Sequence, residues 1–198
     1  MPRSSLPCLA RGRWTGQAGA TANKVPTYND VLVKLAAVTL CNHRALQSQW
    51  QPSGLVTPTA VHIAVAVDTP AGLLAPVIRD ADGLSLRRLA VETSRLADRA
   101  LAGQLTPEEM KGGTFTVTNL GAHGIDVFTP IINLPQCAIL GIGRIRPEAV
   151  VCDSQVVARH TLPLSLTFDH RAIDGATAAR FLDALRLSVE QPGPALID

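Results

Sequence analysis

The sequence predicts a mixed α/β fold, a sheet covered by helices, and three observations carry that prediction. Val61, Ile63, Val65 and Val67 alternate along the chain as one buried face of a strand does. Leu86, Leu89, Thr93, Leu96 and Ala100 recur at helical spacing. The apolar run from Leu162 to Phe168 leads through Asp174-Gly175 into a second periodic segment, Ala178, Phe181, Leu182 and Leu185. Strands separated by helices, some joined by short turns, define that architecture.

Taken in order, Val31, Leu32, Leu35, Val38 and Thr39 predict a helix over roughly 29–45. After the strand at 61–67, Asp68-Thr69-Pro70-Ala71-Gly72 is a turn, and Leu73 to Ile78 continues as a second strand. The helix through Leu86 stops at Gly103. Thr106-Pro107-Glu108-Glu109 combines a cap residue, Pro at the first helical position and Glu three residues after the cap, so a short helix starts there and ends at Gly112-Gly113. Thr114 to Thr118 and Cys137 to Ile142 are strands, and Val156 to Phe168 contains two strand pieces.

The 198 residues suit one domain, 25–198, after a leader. Residues 1–24 carry Arg3, Arg11 and Arg13 with Ser, Gly and Ala and no acidic residue. We read them as an unstructured or unrelated leader or linker, with a transit peptide or a misplaced start as alternatives. Hydrophobic residues make up 46% and charged residues 17%. With mean hydropathy +0.19, that is apolar for a monomer and predicts surface covered by other subunits. Net charge +2 and the lack of a basic run interleaved with aromatics argue against nucleic acid, and no apolar stretch is long enough to span a membrane. Cys8, Cys41, Cys137 and Cys152 are widely spaced, which predicts reduced, mostly buried thiols, no metal site and a cytoplasmic location, with the mitochondrial matrix as alternative.

Several chemistries can be struck out. Arg146 stands where the third glycine of a dinucleotide fingerprint would follow Gly141-Ile142-Gly143. There is no phosphate-loop lysine, Gly-x-Ser-x-Gly elbow or His-Glu-x-x-His. Two stretches remain. In Asp169-His170-Arg171-Ala172-Ile173-Asp174-Gly175 a strand ends at an imidazole, with a carboxylate four residues on. Held rigid and neutral, such an imidazole is a general base; alternatively Asp169, Arg171 and Asp174 are a solvated charge cluster. In Gly112-Gly113-Thr114-Phe115-Thr116-Val117-Thr118-Asn119-Leu120-Gly121 a strand-end hydroxyl lies beside glycines that let a ligand approach. It could donate to a developing oxyanion, or the threonines are simply good strand formers. His43, His62, His123 and His160 read as surface or structural, with His123 a partial exception because it sits in the glycine-rich loop Gly121-Ala122-His123-Gly124.

Together these stretches resemble the catalytic domain of the dihydrolipoamide acyltransferases, the core components of 2-oxo acid dehydrogenase complexes. The matching pieces follow family order. They are Tyr28-Asn29-Asp30, the run from Ala64 through Asp68-Thr69-Pro70-Ala71-Gly72-Leu73, Pro76-Val77-Ile78-Arg79-Asp80-Ala81-Asp82, Gly113 to Gly121, Pro130-Ile131-Ile132-Asn133, and Asp169 to Gly175. They span about residues 27–191. His-x-x-x-Asp-Gly by itself is shared with chloramphenicol acetyltransferases and peptide-synthetase condensation domains.

The resemblance implies a chloramphenicol-acetyltransferase-like fold, with the family's opening helix and strand not recognisable in 1–24. It implies a homotrimer with active sites between subunits, built into a larger cubic or dodecahedral core beside the dehydrogenase components. Coenzyme A would be one substrate, and the other a lipoyl group carried on a domain absent from this chain. His170 would take the thiol proton, Thr118 would donate to the oxyanion, and Asp174 would hold the local structure through an arginine. Asn119, Gly121 and Arg171 would contribute to substrate or coenzyme A binding. Phe168 and Ala176 lean towards an acetyl group. The alternatives are a non-catalytic scaffold domain of such a complex and a stand-alone small-molecule acyltransferase.

Overall fold

Thr27 opens the first helix with a reciprocal cap. Asp30 Oδ2 accepts from the Thr27 N–H at 2.7 Å, and the Asp30 N–H donates to Thr27 Oγ1 at 3.3 Å, satisfying groups that a helix start otherwise leaves orphaned. In the computed structural model, which describes residues 24–193, helix α1 runs Tyr28–Cys41 and stops at Asn42. A 3-10 turn at Arg44–Gln47 takes the place of its expected last turn. α1 buries Leu32, Val33, Leu35, Ala36, Ala37 and Leu40, because it packs against both other long helices, α2 (Leu86–Leu101) and α3 (Gly175–Glu190).

The strands are β1 (Gln49–Gln51), β2 (Gly54–Val56), β3 (Ile63–Val65), β4 (Val67–Thr69), β5 (Gly72–Leu74), β6 (Val77–Ile78), β7 (Phe115–Asn119), β8 (Ala138–Ile142), β9 (Arg146–Cys152), β10 (Gln155–Thr161) and β11 (Leu164–Phe168). Five form the central sheet in the order β11-β8-β7-β3-β6. β3, β7 and β8 are parallel neighbours, and β6 and β11 are antiparallel edges. The predicted mixed sheet covered by helices is therefore present.

Local differences have physical causes. Sheet pairing of the strand expected over 61–67 ends at Ala66, whose N–H makes the last bond to β7, to Val117 O at 3.0 Å; β3 stays in the sheet and β4 beyond it forms a ribbon with β5. Pro76 has no N–H to donate, and the second strand divides there into β5 and β6. The segment after Thr106 is a 3-10 turn, Pro107–Met110, carrying the predicted capping box. Two ribbons, β1–β2 and β9–β10, lie outside the sequence expectation, apart from β10 itself. Of the described cysteines only Cys137 is buried, and Cys41 is exposed, against the expectation of mostly buried thiols; Cys8 and the leader reading fall outside the described residues.

The sheet has two unlike faces. Ile63, Val65, Phe115, Val117, Leu140 and Ile142 turn to the helices and form the core with Leu35, Leu40, Phe181 and Leu185. Thr114 and Thr116 turn outward yet are buried, covered by Gln47, Gln49, Asn133 and Gln136. Thr116 Oγ1 donates to Gln136 Oε1 at 2.6 Å and accepts from Asn133 Nδ2 at 3.3 Å. Thr114 Oγ1 lies 3.1 Å from Gln47 Oε1, and Gln49 Nε2 donates to Gly113 O at 2.7 Å. Satisfied hydroxyls and amides make burial of this polar layer tolerable, and it fixes the strand that carries Thr118.

Candidate active site

β11 delivers His170. The Asp169 N–H donates to Cys137 O at 2.8 Å, so sheet pairing continues one residue past the strand. The N–H groups of Ala172 and Ile173 then both donate to Asp169 O at 3.0 Å, closing a tight turn. Ile173 is buried and pins that turn to the core. His170 is left exposed on its outside, with its ring 5.7 Å from that of Phe168. Among the described residues the imidazole makes no hydrogen bond, so neither ring nitrogen is committed.

Asp174 is not held by an arginine among the described residues. Its carboxylate caps α3, with Oδ1 accepting from the Thr177 N–H and Oδ2 from Thr177 Oγ1, both at 2.8 Å. These two bonds, the backbone one first, hold its carboxyl below the usual carboxylate range. Asp174 therefore sets where α3 begins, and through it the turn that presents His170. Arg180 reaches Thr177 Oγ1 rather than Asp174 itself, at 2.9 Å.

Asp169 and Arg171 flank the histidine and bind each other. Arg171 Nη2 donates to Asp169 Oδ2 at 2.6 Å and Arg171 Nε to Oδ1 at 3.0 Å. Trp50 Nε1 adds a third donor, to Oδ2 at 3.0 Å, and the Arg171 guanidinium lies 5.1 Å above the Trp50 ring. The Arg171 bonds, with help from Trp50, hold the Asp169 carboxyl far below its ordinary range. Arg171 is thus engaged with Asp169, though its side chain remains 75% exposed.

Thr118 stands on the outer face near the C-terminal end of β7, partly buried. Its hydroxyl makes no hydrogen bond among the described residues. It pairs with Gly141, which pairs in turn with Ser165. A Cβ on Gly141 would come 3.0 Å from Phe128 Cζ and 3.2 Å from Pro130 Cδ, so Phe128 and Pro130 occupy the space beside Thr118. Asn119 and Gly121 have structural work. Asn119 Nδ2 donates to Asn29 Oδ1 at 3.2 Å, tying β7 to the start of α1, and its Oδ1 accepts from the Gly121 N–H at 2.9 Å. A Cβ on Gly121 would collide with the Gly143 carbonyl.

The register keeps the two principal residues apart. Thr118 is level with Ser165 at the start of β11, whereas His170 follows the end of that strand. With strands about 4.8 Å apart and a rise of about 3.3 Å per residue, Thr118 lies roughly 10 Å sideways and roughly 10 Å lengthwise from Phe168, and His170 is two residues further on. Within one chain the imidazole and the hydroxyl occupy opposite ends of the sheet. Among the described residues no cluster of His, Cys, Asp and Glu could hold a metal ion.

Trp50 and Phe128 were not singled out by the sequence. A lone tryptophan between glutamines and a phenylalanine in a loop carry no periodic signal, and their partners lie far away along the chain.

Comparison with known proteins places this geometry first within an architecture. A chloramphenicol acetyltransferase superposes with TM-score 0.51 over 80% of this chain and 76% of that chain at 13% identity, which establishes a shared fold. The model of the 2-oxoacid dehydrogenases acyltransferase (catalytic domain) family matches residues 10–197, and the chain belongs to that family. It is 43% identical over 171 residues to the dihydrolipoyllysine-residue acetyltransferase component of the acetoin cleaving system of Bacillus subtilis, covering 86% of this chain and 43% of that protein. The chain thus spans less than half the length of this curated relative.

The cubic core of a pyruvate dehydrogenase multienzyme complex superposes with TM-score 0.82 at 41% identity, covering 86% of this chain and 71% of that one. With the same score, identity and coverage, the chain matches the dihydrolipoamide acetyltransferase of Azotobacter vinelandii, in a structure solved to examine one serine, one histidine and one asparagine in its catalytic mechanism. There the serine precedes the histidine by 52 residues and the asparagine follows it by 4. Thr118, His170 and Asp174 have the same two separations.

Proposed function

We propose that this domain transfers an acetyl group between a dihydrolipoyl thiol and coenzyme A, with His170 as base and Thr118 as oxyanion donor. The observation that carries this reading is the shared spacing of Thr118, His170 and Asp174 with the three residues examined in the Azotobacter enzyme. Since His170 and Thr118 lie at opposite ends of one sheet, the working pair is His170 of one copy facing Thr118 of another. A closed trimer offers one such seam per subunit. Ile131 at 90%, Leu134 at 77%, and Val151 and Val156 at 73% exposure supply apolar surface for that contact and for assembly into a larger core with dehydrogenase partners.

The chemistry follows from the two groups. His170 accepts the proton of one thiol, and the resulting thiolate attacks the carbonyl carbon of the thioester. The Thr118 hydroxyl donates to the tetrahedral oxyanion. Collapse breaks the bond to the second sulfur, which leaves as thiolate and recovers the proton from His170. Proton transfer between a thiol and an imidazole crosses only about two pKa units in water, which is not demanding chemistry. Aligning two long thiol-bearing arms can contribute roughly 7–11 kcal/mol, whereas one oxyanion donor contributes roughly 3–4 kcal/mol. Positioning therefore dominates. The relatives that the chain matches are named acetyltransferases, which supports acetyl as the group carried.

The test is steady-state transfer between acetyl-coenzyme A and dihydrolipoamide. His170→Ala should lower kcat by about 10³-fold with the oligomer unchanged in size-exclusion chromatography. An unchanged rate overturns the assignment.

A further inference from the structure

We infer that Trp50 is a positioning residue for His170, acting through Asp169. The kinetic consequence of this inference rests on the acetyl-transfer reading; its structural consequence does not.

His170 projects from an exposed turn between a strand and a helix. The backbone of Asp169 is held by Cys137 O on one side and by the amides of Ala172 and Ile173 on the other, but those bonds do not orient the Asp169 side chain. Its carboxylate receives four donors: Trp50 Nε1, Arg171 Nη2, Arg171 Nε and the Arg171 backbone N–H at 3.0 Å. Three of the four come from the turn itself. Those three leave the carboxylate without a tie to the rest of the domain, and the Arg171 side chain that supplies two of them is mostly solvated.

Among the described residues Trp50 supplies the one side-chain donor to Asp169 from outside the turn, and it is itself anchored. The Trp50 N–H donates to Pro135 O at 2.8 Å, and the Cys137 N–H donates to Ser48 O at 2.9 Å, which binds β1 to the segment leading into β8. The indole thus crosses from the β1–β2 ribbon to the far side of that segment. Its N–H meets a carboxylate that is only 15% exposed, where a charge-assisted bond is worth more than one in open water. The same ring lies beneath the Arg171 guanidinium, so one side chain fixes both neighbours of His170. A base aligned to within a fraction of an ångström is what a transfer between two positioned thiols requires.

Trp50→Phe keeps a ring beneath Arg171 and deletes the donor. We expect kcat to fall roughly tenfold, with the KM for acetyl-coenzyme A and for dihydrolipoamide each within about twofold. Asp169→Asn should behave alike, and the double variant should be no slower than the slower single, because both act through one contact. The amides of Ala172 and Ile173 should exchange with solvent about tenfold faster in Trp50→Phe, since the turn that holds them loosens. A wild-type kcat, an equal rise in KM, or additive losses in the double variant would overturn the kinetic role. Unaltered exchange at Ala172 and Ile173 would overturn the clamp whatever the activity. Wild-type protein without acetyl transfer would remove the functional reading, while the exchange result would still decide the clamp.

Discussion

Thr118 offers a hydroxyl on a β-branched carbon where the Azotobacter enzyme, at the same distance from its histidine, has a serine. The added methyl restricts χ1 but leaves the donor in place. Thr118→Ser should therefore keep activity near wild type, whereas Thr118→Ala should lower kcat by about 10²-fold, the usual loss for one oxyanion donor. On the proposed reading the acyl group lies beside Thr118, next to Phe128, which packs over Gly141. Phe128→Ala should raise kcat/KM for butyryl- relative to acetyl-coenzyme A by about tenfold, within the range one or two methylenes command in an apolar pocket; an unchanged ratio would remove Phe128 from the acyl site. His170 was legible in the sequence because a strand, a histidine and an Asp-Gly helix start are contiguous. Trp50 was not, because its acceptor lies 119 positions away.

Among the elements, α3 depends on Asp174 for its first turn. Asp174→Ala should lower the melting temperature by a few degrees, and Asp174→Asn, an equally good cap, should not. The turn at Pro107–Met110 depends on Glu109 in the same manner. The backbone N–H of Thr106 first, then Arg95 and Arg99, pull the Glu109 carboxyl down to about 2. A carboxyl depressed in the folded state stabilises above its unfolded pKa of about 4.3, and that contribution disappears as pH falls towards about 2. Denaturant titrations between pH 5 and 2 should therefore show a shallower loss of stability in Glu109→Gln than in wild type. The capping box at Thr106 was readable from short spacings alone, whereas Asp174 was expected to act through an arginine and instead caps α3. The β1–β2 and β9–β10 ribbons were not readable. Gln49-Trp50-Gln51 has no apolar alternation, and Arg146-Pro147-Glu148 begins β9 with charge and a proline.

At the scale of the whole molecule, the proposed roles of His170 and Thr118, at opposite ends of one sheet, require that activity be a property of assembled copies. Neither His170→Ala nor Thr118→Ala subunits alone should be active. Unfolded together and reassembled at equal ratio, they should recover about one quarter of wild-type activity, because in a closed ring that fraction of seams joins an intact histidine to an intact threonine. No recovery, with mixed assembly verified by mass spectrometry, would place both groups within one subunit. The surplus of apolar residues in the composition anticipated surface for such contacts, and Ile131 and Leu134 show where some of it lies.

Contiguous signals belonged to the sequence alone: the capping box at Thr106, the mixed class of the sheet, the histidine at the strand end, and the resemblance they jointly carry. Each depends on residues a few positions apart, where spacing determines which side chains share a face. Strand order, the buried polar layer over Thr116, the indole that donates to Asp169 and the separation of His170 from Thr118 were decided by the tertiary structure. They arise where distant segments meet, and pairing register between strands is set by how the whole apolar face packs. The chain's own periodicity holds no record of that choice.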